Sequence, residues 1–174
     1  MQPSTPKALS PMTAAQRNKL FGRFDFQAKP LPKNPENIVI TGGWAKENLI
    51  TIPLGAIEPA QGNDQAVFHR LVAPRMQELV AEWARLGLAE DVLTWNGSYC
   101  ARFVRGTTRK TLSAHSWGSA FDINVKWNLL GREPAALGTK GSVLRLVPVA
   151  EKYGFYWGGR FTRRDAMHFE LARL

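Results

Sequence analysis

One cysteine, Cys100, occurs in the 174 residues, so an intrachain disulfide is excluded. A lone thiol fits synthesis and folding in a reducing compartment. No stretch approaches the roughly 20 apolar residues of a helical membrane span. The N-terminal run MQPSTPKALSPMTAAQRNKL also lacks the apolar centre of a secretory signal. We therefore expect synthesis in the cytoplasm without a signal peptide. If the target lies outside, another agent must open the way across the membrane. Acidic residues are scarce too: 14 Asp and Glu face 23 Lys and Arg, for a net charge of +9. Such a field favours polyanionic surroundings, whether nucleic acid, anionic membrane or the phosphate-rich polymers of a bacterial envelope. The Lys and Arg residues are scattered and form no recognised nucleic-acid motif, so no specific nucleic-acid partner is expected.

What is present is an ordinary globular balance, 44% hydrophobic and 21% charged, in a length that suits one domain. Three prolines in the first 13 residues read as a loose arm, with a short helix after it over 14–21. We divide the chain into an N-terminal arm, 1–28, partly disordered, and a domain over 29–174. The proline-rich stretch 29–35 reads as an extended connector. Apolar runs at 38–41 and 49–52 read as strands joined by a turn at Gly42-Gly43. Val67, Leu71, Leu79, Trp83 and Leu86 predict an amphipathic helix over 63–86, kinked or broken by Pro74 and stopped by Gly87. Residues 91–104 read as extended, with a turn near Asn96-Gly97. A loop running into a strand follows at 113–125, then a helix over 142–153 and a last strand over 167–171. Mixed order with local strand pairing predicts an α+β domain.

Chemistry concentrates in two segments, Ser113-Ala-His-Ser-Trp-Gly-Ser-Ala-Phe-Asp122 and Asp165-Ala-Met-His-Phe-Glu170. They hold two of the three histidines, each beside carboxylates. Catalytic zinc takes three protein ligands and keeps one position open for water, and imidazole and carboxylate suit it. His115, Asp122 and His168 supply such a set, with Gly118 letting the backbone turn. Asp122 interrupts an apolar stretch, where an unpaired carboxylate would be costly. Asp165, three residues before His168, is placed to take a proton from zinc-activated water. Turn and cap chemistry explains each pair equally well when it is taken alone.

The pattern Ser-x-His-x-x-Gly-x-Ala-x-Asp, carried by Ser113, His115, Gly118, Ala120 and Asp122, resembles the signature of the D-alanyl-D-alanine carboxypeptidase superfamily. That superfamily includes VanX- and VanY-type peptidases and the phage L-alanyl-D-glutamate endopeptidases, which are endolysins. Gly154-Phe-Tyr-Trp-Gly-Gly159 followed by Asp165-x-x-His-Phe-Glu170 is similar to the second signature. The resemblance is clearest from about residue 64 onward. It implies a small Hedgehog/D,D-peptidase-like domain, with a central antiparallel sheet flanked by helices. It further implies one zinc ion per chain on His115, Asp122 and His168, with Asp165 as general acid and base. VanX- and VanY-type members generally carry Glu where this chain has Asp165. Asp looks more like the endolysin branch and shifts the expected scissile bond to L-Ala-D-Glu in peptidoglycan, with D-Ala-D-Ala still open. The family's arginine ahead of the first motif matches Arg102 or Arg105, with Arg102 favoured; an arginine fork suits carboxylate recognition, and a solvated strand arginine is the alternative for each. Ser113 is a candidate for substrate hydrogen bonding or for capping the loop, and Trp117 for walling the cleft or for the core.

Several residues are given plainer roles. His69 reads as a surface or boundary histidine on the first long helix, and Cys100 as a small buried hydrophobe. Trp127 and Trp157 wall the cleft or belong to the core. Glu170 is a partner of a metal ligand or a surface carboxylate. The run Arg160-Phe-Thr-Arg-Arg164 guides an anionic substrate or is a charged loop. A monomer is expected, drawn to anionic envelope polymers by charge and acting on the wall. A non-catalytic basic wall-binding or nucleic-acid-binding module is the competing class. It lacks a fourth ligand to close a structural zinc site.

Overall fold

Thr13 starts the first helix with a reciprocal cap. Its hydroxyl accepts from the Gln16 backbone N–H at 3.2 Å, and the Gln16 side chain accepts from the Thr13 N–H at 2.8 Å. The helix it opens, α1 (Ala14–Phe21), has the span expected from the sequence. The computed structural model describes residues 8–62, 65–107 and 110–174. The first seven residues of the expected arm lie outside the described residues. Residues 14–28 of that arm carry α1 and a strand, β1 (Asp25–Ala28), which pairs antiparallel with β2 (Ile38–Thr41).

The run at Gly42-Gly43 is not a hairpin turn between adjacent strands. It leads into a short helix, α2 (Trp44–Asn48), and then β3 (Leu49–Thr51), whose partner is β4 (Val67–His69). This corrects the expected helix over 63–86, of which residues 63 and 64 lie outside the described residues. Its first part is this strand, preceded by the short helix α3 (Glu58–Gln61). The long helix, α4, covers only Ala73–Arg85. Pro74 falls in its first turn, where no intrahelical donor is needed, so it begins the helix and does not kink it. Met76, Leu79, Val80 and Trp83 recur at helical spacing and are buried.

The remaining strands make one antiparallel sheet in the order β5-β7-β6, from β5 (Ala120–Asp122), β6 (Phe155–Trp157) and β7 (His168–Leu171). The helix α5 (Val147–Lys152) precedes β6, and is shorter than the predicted 142–153. Phe121 is the centre of the core. It stacks on Phe169 (5.2 Å, 5° between planes) and on Trp95 (5.7 Å, 12°), while Trp83 of α4 meets its edge at 6.3 Å. These offset and edge contacts add to the apolar burial of large rings. Residues 91–104 are mostly irregular, tied in by bridges such as Trp95 with Ile123 and Asn37 with Arg102. The result is a small single α+β domain built from antiparallel sheets and helices, as the sequence predicts. Among the described residues no helix is long and apolar enough to cross a membrane.

Candidate metal centre

The first motif folds as a 3₁₀ turn over Ala114–Trp117, closed by Gly118 in the left-handed region at φ 62°. A side chain at Gly118 is excluded by space as well as by conformation. A Cβ there would lie 2.7 Å from the His69 backbone nitrogen and 2.9 Å from Leu49 Cδ2. The Gly118 carbonyl uses that closeness to accept from the His69 N–H at 2.9 Å. The motif loop is thus fixed on β4 before the chain enters β5. In the second motif, the His168 N–H donates to the Asp165 carbonyl at 3.0 Å, forming a tight turn into β7. Gly158 makes room for that turn, since a Cβ there would sit 2.5 Å from the Asp165 carbonyl oxygen.

Antiparallel pairing then sets Asp122 opposite His168. His115 Nε2 lies 3.1 Å from His168 Nδ1 and 3.3 Å from Asp122 Oδ1, and His168 Nδ1 lies 3.0 Å from the same Oδ1. These three residues are a candidate metal-holding group. Atoms bound tetrahedrally to one zinc at about 2.0–2.1 Å are about 3.3 Å apart, so the observed spacings fit. The tautomers fit as well. His115 Nδ1 points at the Ser98 carbonyl and His168 Nε2 at Glu170 Oε2, 3.0 Å away. With a metal bound, each ring would donate its N–H to that outer partner and turn a lone pair inward, the usual way in which an outer partner orients a ligating histidine.

Charge in the cluster follows from burial and proximity. Burial alone would raise the Asp122 pKa, but His115 and His168 outweigh it and hold the carboxyl well below its usual range. Burial would lower the His168 pKa, but its bonds to Asp122 and Glu170 push it up to about 10. Two facing imidazole nitrogens and a carboxylate therefore demand positive charge between them. A metal cation would supply it in exchange for a proton.

Asp165 flanks the cluster. Its pKa is raised, first by burial and also by the Asp122 charge, against the pull of His168, His115 and Arg102. Its buried Oδ1 has no hydrogen-bond partner among the described residues. Arg102 is half-buried and tied to the motif loop through its backbone, which donates to Ser116 Oγ at 3.0 Å and accepts from it at 2.8 Å. Its charge acts on Asp165. Arg105 is exposed, and its carbonyl accepts from Arg163 at 2.9 Å. Ser113 is buried at the start of the 3₁₀ turn and makes no capping bond with its side chain.

Trp117 requires a correction. It is fully buried, donates to the Gly22 carbonyl at 3.3 Å and packs on Phe24, so it has no surface with which to wall a cleft. His69 is likewise buried and lies on β4, not on a helix surface. Trp157 is buried against the Ala166 carbonyl, whereas Cys100 and Trp127 are only half-buried. The basic run is largely engaged within the domain: Arg160 pairs with Glu151, Arg164 with Glu133, and Arg163 holds the loop of Arg105. Two surface clefts, of about 280 and 340 Å³, contain none of the cluster residues.

Reasoning from the sequence underrated Glu170 and passed over Arg17. Their side chains meet at 2.6 Å behind His168. Glu170 had a signal, because residues two apart on a strand share a face. Arg17 had none, because its contact depends on how α1 docks.

Fold and site together define an α+β domain with a His-Asp-His cluster, its two histidines buried and its aspartate half-buried, suited to a metal cation. Residues 106–171 match the family model described as D-alanyl-D-alanine carboxypeptidase. The match spans less than half of the chain, yet it contains both motifs. It supports the superfamily resemblance drawn from those motifs and, with it, a metallopeptidase. No curated protein and no solved structure matches the chain.

Proposed function

We propose that this protein is a zinc-dependent peptidase that hydrolyses the stem peptides of bacterial peptidoglycan, with the L-Ala-D-Glu bond as its target. The observation that carries this reading is the convergence of His115, Asp122 and His168 donor atoms within 3.0–3.3 Å, together with a buried Asp165 carboxyl oxygen that has no partner among the described residues. Zinc held by the three ligands would supply a Lewis acid that acidifies water and polarises a peptide carbonyl.

The chain's own residues do the rest. Asp165, whose pKa is held above the ordinary carboxylate range, takes the proton of the attacking water and returns it to the leaving amine. Arg102 presents its guanidinium to a carboxylate or carbonyl oxygen of the substrate. Asp122 keeps part of its side chain exposed, and a catalytic zinc site needs one position open for water. The +9 charge draws the protein to anionic envelope polymers once the membrane has been opened.

A second reading, a D,D-carboxypeptidase or dipeptidase on the same site, is favoured by the description of the matching family. Three substrates separate the two: crosslinked wall, a free pentapeptide stem and the D-Ala-D-Ala dipeptide. Cleavage of the first with a new D-Glu amine supports the endopeptidase. Release of terminal D-Ala alone assigns the carboxypeptidase.

A further inference from the structure

Helix α1 is seated by the elements that build the candidate site. The Phe21 carbonyl at its C-terminal end accepts from Trp44 Nε1 at 2.9 Å and from His69 Nε2 at 3.2 Å. The next carbonyl, of Gly22, accepts from Trp117 Nε1 in the motif loop. Phe21 also packs on the His69 ring, with centroids 4.9 Å apart. One turn back on the same face lies Arg17, only 6% exposed, its guanidinium 5.8 Å from the Trp117 ring centroid. Arg17 Nη2 contacts Glu170 Oε1 at 2.6 Å, while Glu170 Oε2 takes the N–H of His168. The two oxygens of one buried carboxylate are thus divided between α1 and a proposed metal ligand.

We propose that α1 is part of the metal centre: Arg17 is a positioning residue that fixes the Glu170 carboxylate, which in turn aims His168 Nδ1 at the metal. This rests on the reading of His115, Asp122 and His168 as ligands. A carboxylate behind a ligating histidine fixes its tautomer and ring angle, and loss of such an outer partner weakens metal binding by about 10–100-fold. Here the partner is itself buried, and its remaining oxygen is held by a charge from a helix 153 residues away in sequence. Without Arg17 the carboxylate loses the anchor that sets its direction.

The test is zinc affinity of the purified full chain, measured by competition with a chromophoric chelator. Circular dichroism and the thermal midpoint of the metal-free protein serve as controls for folding. Arg17→Met is expected to bind zinc about 10–100-fold more weakly while folded. Arg17→Lys is expected to stay within a few-fold of wild type, because a single nitrogen makes the contact with Glu170. Adding Arg17→Met to Glu170→Gln is expected to cause no further loss, since the first acts through the second. If Arg17→Met does not fold, Arg17→Gln, neutral but polar, takes its place in each comparison. Folded variants that bind zinc within about twofold of wild type would overturn the proposal. So would the full Arg17 effect on top of Glu170→Gln. A wild-type chain that binds no zinc would overturn the ligand reading, and this proposal with it.

Discussion

Asp122 and His168, 46 residues apart in sequence, are direct partners in the antiparallel pairing of β5 with β7. That register joins two separate motifs into one cluster. A slip of one residue would turn the Asp122 side chain to the opposite face and leave it in the apolar core. The site is therefore made by the sheet as much as by the motifs.

Removing a ligand should remove the metal. We expect His115→Ala and His168→Ala to retain less than about a tenth of the zinc that wild type holds after dialysis, because two protein donors seldom hold a catalytic ion. Elemental mass spectrometry of dialysed protein measures this. Wild-type zinc content in either variant would contradict the ligand assignment.

Asp165→Asn should separate chemistry from metal binding. The variant keeps shape and zinc but cannot accept a proton, so kcat should fall by about 10²–10⁴-fold. Steady-state kinetics beside elemental analysis check it. Turnover near the wild-type rate would end the proposed acid-base role.

The donors of the cluster were legible because both motifs together resemble one family signature, whereas each pair taken alone reads as well as a turn or a cap. Helical spacing made α4 legible through Leu79 and Trp83, whereas β7 is buried at all four positions and α1 buries only Arg17 and Phe21, so neither shows a dominant period. The stretch over 65–72 was misread because Val67 and Leu71 fit a helical step by coincidence, while Phe68 and His69 are buried in a β pairing that leaves no trace in local periodicity. Trp117 was misread because a tryptophan in a motif looks the same whether it faces a cleft or a core. Arg17 could not be read at all. Its burial depends on carbonyls of α1 finding indole and imidazole donors far along the chain.

Gly118 gives a sharper test of the motif loop. Gly118→Ala must adopt a left-handed conformation and push a Cβ to 2.7 Å from a backbone nitrogen of β4. We expect a loss of about 2–4 kcal/mol in unfolding free energy, from backbone strain plus displaced packing. Urea denaturation of the metal-free protein reads it directly. A loss below about 0.5 kcal/mol would mean that the loop does not lie against β4 as described.

His69 predicts a pH dependence away from the cluster. Burial, with the nearby Arg70 charge, holds its pKa below 6.5 against the opposing bond to the Phe21 carbonyl. The unfolded chain therefore binds a proton that the folded chain resists. Stability from the neutral ring is present above pH 6.5 and is lost as pH falls below it. One such proton gives a slope of at most about 1.4 kcal/mol per pH unit. Between pH 7 and 5, His69→Gln should flatten the slope relative to wild type in metal-free protein. Equal slopes would contradict a neutral buried His69.

The central claim is hydrolysis of peptidoglycan stem peptides by a metal at His115, Asp122 and His168. Mass spectrometry of murein peptides after incubation with the protein, with and without a chelator, tests it most directly. The account predicts a new D-Glu amine and a freed L-Ala carboxyl, abolished by the chelator and restored by added zinc. Intact peptides in the presence of zinc-loaded protein, or cleavage indifferent to the chelator, would contradict it.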